Sequence, residues 1–232
     1  VEKKQYELCL EILRRFHKVG ILDNFILIGS WAVYFYKNYF SDIPYINQVA
    51  IRTRDIDFLV NSPAKIKKKV DLPGLLKDLG FVTIFKGSQG YIKLDHPDLI
   101  LEFLVPEKGR GTNKPYPLPK LGINATTLRF LSFLASDTIR VKVEDFYVIL
   151  PHPAKFALHK LIISQRRSRK EKELKDLNAG IEIIKALIDK GELDIVKRVF
   201  YLMPEKWQKK VMKGLESAKE KNILRILTDE RP

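Results

Sequence analysis

Along the opening stretch, Tyr6, Leu8, Cys9, Leu10, Ile12, Leu13 and Phe16 fall close to the three-and-four spacing of a one-faced helix, and Gly20 follows as a stop. The pattern predicts a helix over 2–19 that flanks a core. Residues 25–28 form a short apolar run ending in Gly29-Ser30, and 31–39 then read as a helix rich in aromatic side chains. The order is strand, tight turn, helix. Beyond a loop with Pro44 and Asn47, residues 54–60 set Asp55, Asp57 and Leu59 against Ile56, Phe58 and Val60. Alternate side chains of a strand share a face, so both carboxylates project from one side.

A lysine-rich segment leads into a predicted helix over 73–80, and strands follow over 81–85, 91–94 and 99–105, separated by Gly and Pro signals. Residues 106–119 hold much of the Gly and Pro, with Lys108, Arg110 and Lys114 interspersed, and predict a mobile basic loop. A helix is expected over 127–135, then strands over 139–143 and 147–149. From Pro153 the pattern turns helical, over 154–165, 170–190, 193–202 and 205–227, with Gly191 and Pro204 as breaks. The expected fold class is α+β: a mixed or antiparallel sheet flanked by helices, followed by an all-helical C-terminal lobe. Residues 1–150 are expected to form a head and 151–232 a helical companion.

Charge narrows the partners. The 232 residues carry 42 Lys and Arg against 28 Asp and Glu, a formal net charge of +14. Phosphate-rich surfaces attract such a chain whatever their sequence, so nucleoside triphosphate and nucleic acid both fit the sign. Part of the excess, Lys67-Lys68-Lys69 above all, reads equally as a solvated helix face. No run of eighteen apolar residues occurs, and the first residues lead into a charged amphipathic segment, so a cytoplasmic protein with no membrane partner is expected. Cys9 stands alone, and neither a disulfide nor a multi-cysteine zinc site is expected.

The chemistry-bearing candidates are acidic. An Asp-x-Asp pair on a strand sets two hard oxygen donors about 6.6 Å apart on one face, close enough to share magnesium. Glu102 lies within the apolar run 99–105, where a charge is costly unless paired or metal-bound. Asp55 and Asp57 would equally suit the solvent face of an ordinary edge strand. Upstream, Gly29 permits close backbone approach to phosphate and Ser30 offers a hydroxyl, although the same pair also makes a plain N-capped turn.

Ile28-Gly29-Ser30-Trp31-Ala32 followed by Thr53-Arg54-Asp55-Ile56-Asp57-Phe58-Leu59 resembles the Gly-Ser turn and Asp-x-Asp of the DNA polymerase β nucleotidyltransferase superfamily. Further along come Leu101-Glu102-Phe103-Leu104-Val105-Pro106, His159-Lys160-Leu161, Arg166-Arg167 and Lys175-Asp176-Leu177. Together these are similar to a bacterial nucleotidyltransferase-like family, over roughly 24–187. The resemblance implies a catalytic head with a helical companion, and Asp55, Asp57 and Glu102 as a triad holding Mg2+ or Mn2+ against a nucleoside triphosphate. Glu102 stands where many superfamily members have aspartate, one methylene shorter.

Lys155, His159, Lys160, Arg166, Arg167 and Lys170 fall along the first companion helix and the turn beyond it. Lys160 and Arg167 are the candidate phosphate contacts, alongside Gly29 and Ser30. Pairing with Glu171, Glu173 or Asp176 is the competing reading, and Asp176 is expected to hold Lys or Arg in place. His159, beside Phe156 and Leu158, is expected to be structural. Trp31, Tyr34, Phe35 and Tyr36 fit core packing, with Tyr34 the one candidate for stacking a base.

Two functions follow. The first is an enzyme that transfers a nucleoside monophosphate to a hydroxyl of RNA such as tRNA, of a protein or of a small molecule. The second is a non-catalytic module binding nucleotide or nucleic acid; resemblance to toxin-like nucleotidyltransferases leaves a toxin-antitoxin or defence role open to either.

Overall fold

A computed structural model describes residues 3–43, 53–109 and 114–228. The loop with Pro44 and Asn47 and the Arg110 position lie outside them. Two compact units emerge, one from the described residues up to Phe35 and from 53 to Pro151, the other from 36–43 and from His152 onward.

The first unit is built on a mixed sheet. Its strands are β1 (Ile26–Ile28), β2 (Asp55–Leu59), β3 (Val82–Lys86), β4 (Tyr91–Asp95), β5 (Ile100–Pro106), β6 (Tyr116–Leu118), β7 (Ile123–Leu128), β8 (Thr138–Val143) and β9 (Phe146–Pro151). Among the described residues the order across the sheet is β3-β4-β5-β2-β1-β9-β8, with β7 paired to β5 and β6 to β7. Strand β2 runs antiparallel to β1 and parallel to β5. Helix α1 (Lys3–Lys18) buries Cys9, Leu10, Ile12, Leu13 and Phe16, the stripe that its apolar spacing predicts.

Phe16, Phe25, Phe58 and Phe103 meet with ring centroids 5.3–5.7 Å apart. Each fully buried ring contributes about 1.5–3 kcal/mol of transfer free energy. Because Phe58 and Phe103 occupy one face of β2 and β5, the alternate positions are driven to the other face. Arg14 tethers the helix by a forked pair of 2.7 Å bonds to the Glu144 carboxylate.

Three expectations change in this unit. The helix predicted over 127–135 is the end of β7 followed by a short α4 (Leu131–Ala135). Asn124 explains the strand: its side chain accepts from the Ile92 N–H at 2.8 Å and donates to the Gly90 carbonyl at 3.0 Å, so distant partners override a weak local pattern. The loop predicted over 106–119 contains β6, paired to β7. Residues 73–80 form α3 (Leu72–Leu76) and a 3-10 turn at Lys77–Leu79.

In the second unit, α5 (Pro153–Ser164) is the central helix, with Phe156, Ala157, Leu158, Leu161 and Ile162 all buried. Pro153 starts it and the His152 Nδ1 accepts from the Ala154 N–H at 3.2 Å, an N-terminal cap. Against it pack α6 (Lys170–Asp189), α7 (Leu193–Tyr201) and α8 (Glu205–Ser217), and α9 (Lys221–Thr228) packs on α8. The single helix predicted over 205–227 is two, because Lys219 adopts φ +59° and turns the chain. No described helix is long and apolar enough to cross a membrane.

Helices α5 and α6 approach closely at Gly180, where an added β-carbon would lie 2.9 Å from the Ala157 carbonyl oxygen. At Gly214 of α8 the nearest atom would lie at 3.4 Å. Gly180→Ala is therefore expected to cost about 1–3 kcal/mol by overpacking, while Gly214→Ala leaves stability within about 0.5 kcal/mol. Thermal unfolding followed by circular dichroism at 222 nm compares the two.

Candidate active site

The acids sit where three strands come into register. Ile28 of β1 pairs with Asp57 of β2, and Asp57 pairs with Glu102 of β5. Partners in register point to the same side, so Asp57 and Glu102 lie side by side about 4.8 Å apart at the backbone. Asp55, two residues earlier, shares their face; it is exposed, Asp57 and Glu102 half-buried. The three predicted acids are thus brought onto one face.

Gly29 opens the turn after β1 with φ +70°, a conformation costly for any other residue. A β-carbon there would fall 2.3 Å from Asp57 Oδ2, so the carboxylate rests directly on the glycine. Ser30 follows at the start of α2 (Gly29–Phe35), half-buried. Thr53 Oγ1 accepts from the Asp55 N–H at 3.2 Å. The Arg54 guanidinium turns away from the acids to the His96 carbonyl at 2.5 Å and Asp95 at 3.4 Å.

One member of the site escaped the sequence reading. The antiparallel register that sets Leu94 against Leu101 and Asp95 against Ile100 brings Lys93 of β4 opposite Glu102. Lys93 Nζ donates to Glu102 Oε1, with side chains only 13% and 23% exposed. Strand pairing alone identifies it, since nothing local distinguishes Lys93 from other strand lysines. Hard carboxylate oxygens on one face suit a divalent cation. Among the described residues, however, no group of three His, Cys, Asp or Glu stands placed to hold one, and the third acid is engaged by an ammonium.

Lys160 and Arg167 belong to the second unit, where both bind one carboxylate. Lys160 Nζ and Arg167 Nε each donate at 2.6 Å to Asp176, whose side chain is 5% exposed. Burial pushes the Asp176 carboxyl up, but the two cations prevail and hold it below the usual range. The three side chains keep one net positive charge, and Arg167, 40% exposed, is the more accessible cation.

His159 lies buried on α5 and neither ring nitrogen has a hydrogen-bond partner among the described residues. Burial, then the Lys160 ammonium, pulls its pKa down to about 3, which suits a neutral structural side chain. Tyr34 packs at 5.2 Å from Tyr6 and 5.6 Å from Phe35, ring to ring within its own unit.

The buried neutral imidazole makes stability pH-dependent. The unfolded chain protonates His159 near pH 6.5 and the folded chain only near 3, so the unfolded state binds the extra proton between those values. Stability therefore falls as pH drops through that window, by about 1.4 kcal/mol per pH unit from this group. Urea denaturation of wild type and His159→Leu at pH 7, 6, 5 and 4 is expected to show a shallower acid loss in the variant.

A family profile described as nucleotidyltransferase matches residues 7–197. No curated protein matches the chain in sequence. Among solved structures, an antigenic nucleotidyltransferase-like protein from Paracoccidioides brasiliensis aligns with TM-score 0.52 at 14% identity, over 94% of this chain and 91% of that one. ANT(2")-Ia in complex with adenylyl-2"-tobramycin aligns with TM-score 0.49 at 10% identity, over 93% and 99%. A solution structure of that antibiotic-resistance factor aligns with TM-score 0.45 at 10% identity, over 96% and 95%. With four-fifths of its length matched by the family profile, and a mixed sheet that continues into a helical C-terminal region, the chain belongs to the nucleotidyltransferase family.

Proposed function

We propose that this protein transfers a nucleoside monophosphate from a nucleoside triphosphate to an acceptor hydroxyl, with Asp55, Asp57 and Glu102 as its acidic site. The observation that supports this most directly is the pairing of Asp57 with Glu102 on one side and its contact with Gly29 on the other. In the reaction an acceptor oxygen bonds to the α-phosphorus, the bond to the bridging oxygen breaks, and pyrophosphate leaves with the electron pair. The hydroxyl proton passes to a carboxylate of the acidic set. Magnesium or manganese, when bound, would neutralise charge on the phosphates and acidify the hydroxyl.

Within the first unit each residue has its own role. Asp55 and Asp57 would hold the cation, since they project from a single strand face. Gly29 leaves room for phosphate oxygens beside Asp57, and Ser30 offers a hydroxyl donor. Lys160 and Arg167 are proposed to meet the phosphates; Asp176 neutralises one of their two charges and orients both. The net charge of +14 favours RNA, such as tRNA, among hydroxyl acceptors, over a protein side chain or a small molecule. The second reading, a non-catalytic nucleotide-binding module, draws on the engagement of Glu102 by Lys93.

The test is transfer of label from each of four α-labelled nucleoside triphosphates to bulk tRNA, total protein and a panel of hydroxylated small molecules. Wild type is expected to release pyrophosphate and label one class, and Asp57→Asn to lose at least about 100-fold. Silence with all four nucleotides across the panel, together with nucleotide binding by calorimetry, would establish the non-catalytic module instead. Gly29→Ala is expected to lower the rate as well, because its β-carbon would displace the Asp57 carboxylate, while Ser30→Ala keeps most of the fold's stability. Unfolding midpoints measured beside the rates separate the two effects.

A further inference from the structure

The chain that leaves β2 carries a run of charge outside the acidic face. Lys65, Lys67, Lys68 and Lys69 are all exposed, and residues 66–70 belong to no helix, so they are not the solvated face of one. Two contacts bring Lys18 and Lys120 to the same place. Lys68 Nζ donates to the Val19 carbonyl at 3.1 Å, beside Lys18 at the end of α1, and Lys120 Nζ donates to the Ile66 carbonyl at 2.6 Å. The Val70 N–H donates to the Lys120 carbonyl at 2.8 Å and Ile66 is buried, so the segment is pinned at both ends. The carbonyls hold two ammonium groups in place without cancelling their charge. None of these lysines forms an ion pair among the described residues. Asp71, the acid next in sequence, turns its carboxylate to Gly74 and Gly122.

We propose that this lysine surface holds the phosphates of a single-stranded RNA and docks the acceptor away from the reacting end. The inference rests on the hydroxyl-acceptor reading above and deepens it by placing the RNA. Strand β2 runs from Asp55 to Leu59 before the lysines begin, about 13 Å by strand rise, so these are positioning residues. Phosphates attract such a surface whatever their sequence, and a pinned segment loses less freedom on binding than a mobile lysine arm. Lys65 also lines an open cavity of about 240 Å³ with Asn24, Asn61, Ser62 and Thr138. The acid at its rim, Asp23, is paired with Arg140 at 3.2 Å. Among the described residues the Asn61 amide and the Ser62 and Thr138 hydroxyls have no hydrogen-bond partner. Lysines alone would suit any polyanion; amides and hydroxyls beside them can bond the edge of an unstacked base, which favours RNA over an anionic lipid surface.

Fluorescence anisotropy of a labelled single-stranded oligoribonucleotide, titrated with the full chain over a salt series, tests this without any turnover. Wild type is expected to bind with an affinity that falls steeply as salt rises. The triple variant Lys65→Gln, Lys67→Gln, Lys69→Gln leaves Lys68 and Lys120 in place, and is expected to bind at least about tenfold more weakly with a salt slope lower by about 2 to 3. A second triple variant, Lys206→Gln, Lys213→Gln, Lys221→Gln, removes the same charge from exposed positions of the second unit and is expected to stay within about threefold of wild type. Asn61→Ala is expected to lose about three- to tenfold with the salt slope unchanged, the effect of one uncharged hydrogen bond. Equal losses in the two triple variants would overturn the surface and assign binding to net charge alone. Wild type that binds phosphatidylserine vesicles and not RNA would overturn it in favour of a membrane surface, and unchanged affinity in Asn61→Ala would overturn the role of the cavity. The expected pattern of binding without label transfer from any nucleotide would support the surface and overturn only the transferase reading. Circular dichroism and unfolding midpoints confirm that each variant is folded before it is titrated.

Discussion

Everything at the acidic face depends on the parallel pairing of β2 with β5. That pairing sets Asp57 beside Glu102 and Phe58 beside Phe103 in the same register. The phenylalanine rings stack at 5.6 Å with an interplanar angle of 20°, inside a core closed by Phe16 and Phe25. A slip of one residue would turn acids inward and rings to solvent, since strand side chains alternate with period two. The hydrophobic face therefore enforces the electrostatic one. Two like charges are held together by packing on the opposite side of the strands, and the Lys93 ammonium offsets one of them.

The second unit solves a related problem with the signs exchanged. Asp176 is nearly buried, and burial alone would favour its neutral form. Lys160 and Arg167 reach it from the first helix and the turn beyond, each at 2.6 Å, and keep it ionised. The same cations discourage charge on His159 next door, which stays neutral with no polar partner among the described residues. Removing one partner of such a buried set typically costs about 3–5 kcal/mol, because it strands the others. The motif His-Lys-Leu, then Arg, then Lys-Asp thus has a structural content that precedes any contact with phosphate.

Much of this was legible in the chain. The one-faced spacing of α1, the alternation of β2 and the helical run after Pro153 all reflect local periodicity, which burial then honours. What eluded local reading was set by distant partners. β7 is a strand because Asn124 bonds the backbone at Gly90 and Ile92, and no pattern within 127–135 encodes that. The break between α8 and α9 falls at Lys219, a residue with no marked preference for its left-handed conformation. Asp55, Asp57 and Glu102 were visible as acids in apolar strands, whereas Lys93 was not, because only the order of strands places it opposite Glu102. Asp176 was readable as the holder of a Lys or Arg, whereas the two cations it holds, Lys160 and Arg167, are identified by the structure.

Within the acidic face the members differ in freedom, and this ranks them. Asp57 is fixed on both sides, by the Gly29 backbone against its carboxylate and by the register with Glu102. Asp55 begins its strand and is exposed, with its N–H held by Thr53 and its carboxylate open to solvent. Glu102 is one methylene longer than its neighbours and reaches Lys93 across the adjacent strand. Aspartate beside glycine is thus the rigid member and glutamate beside lysine the flexible one, and the extra methylene of the third acid is what lets it reach the ammonium across the adjacent strand.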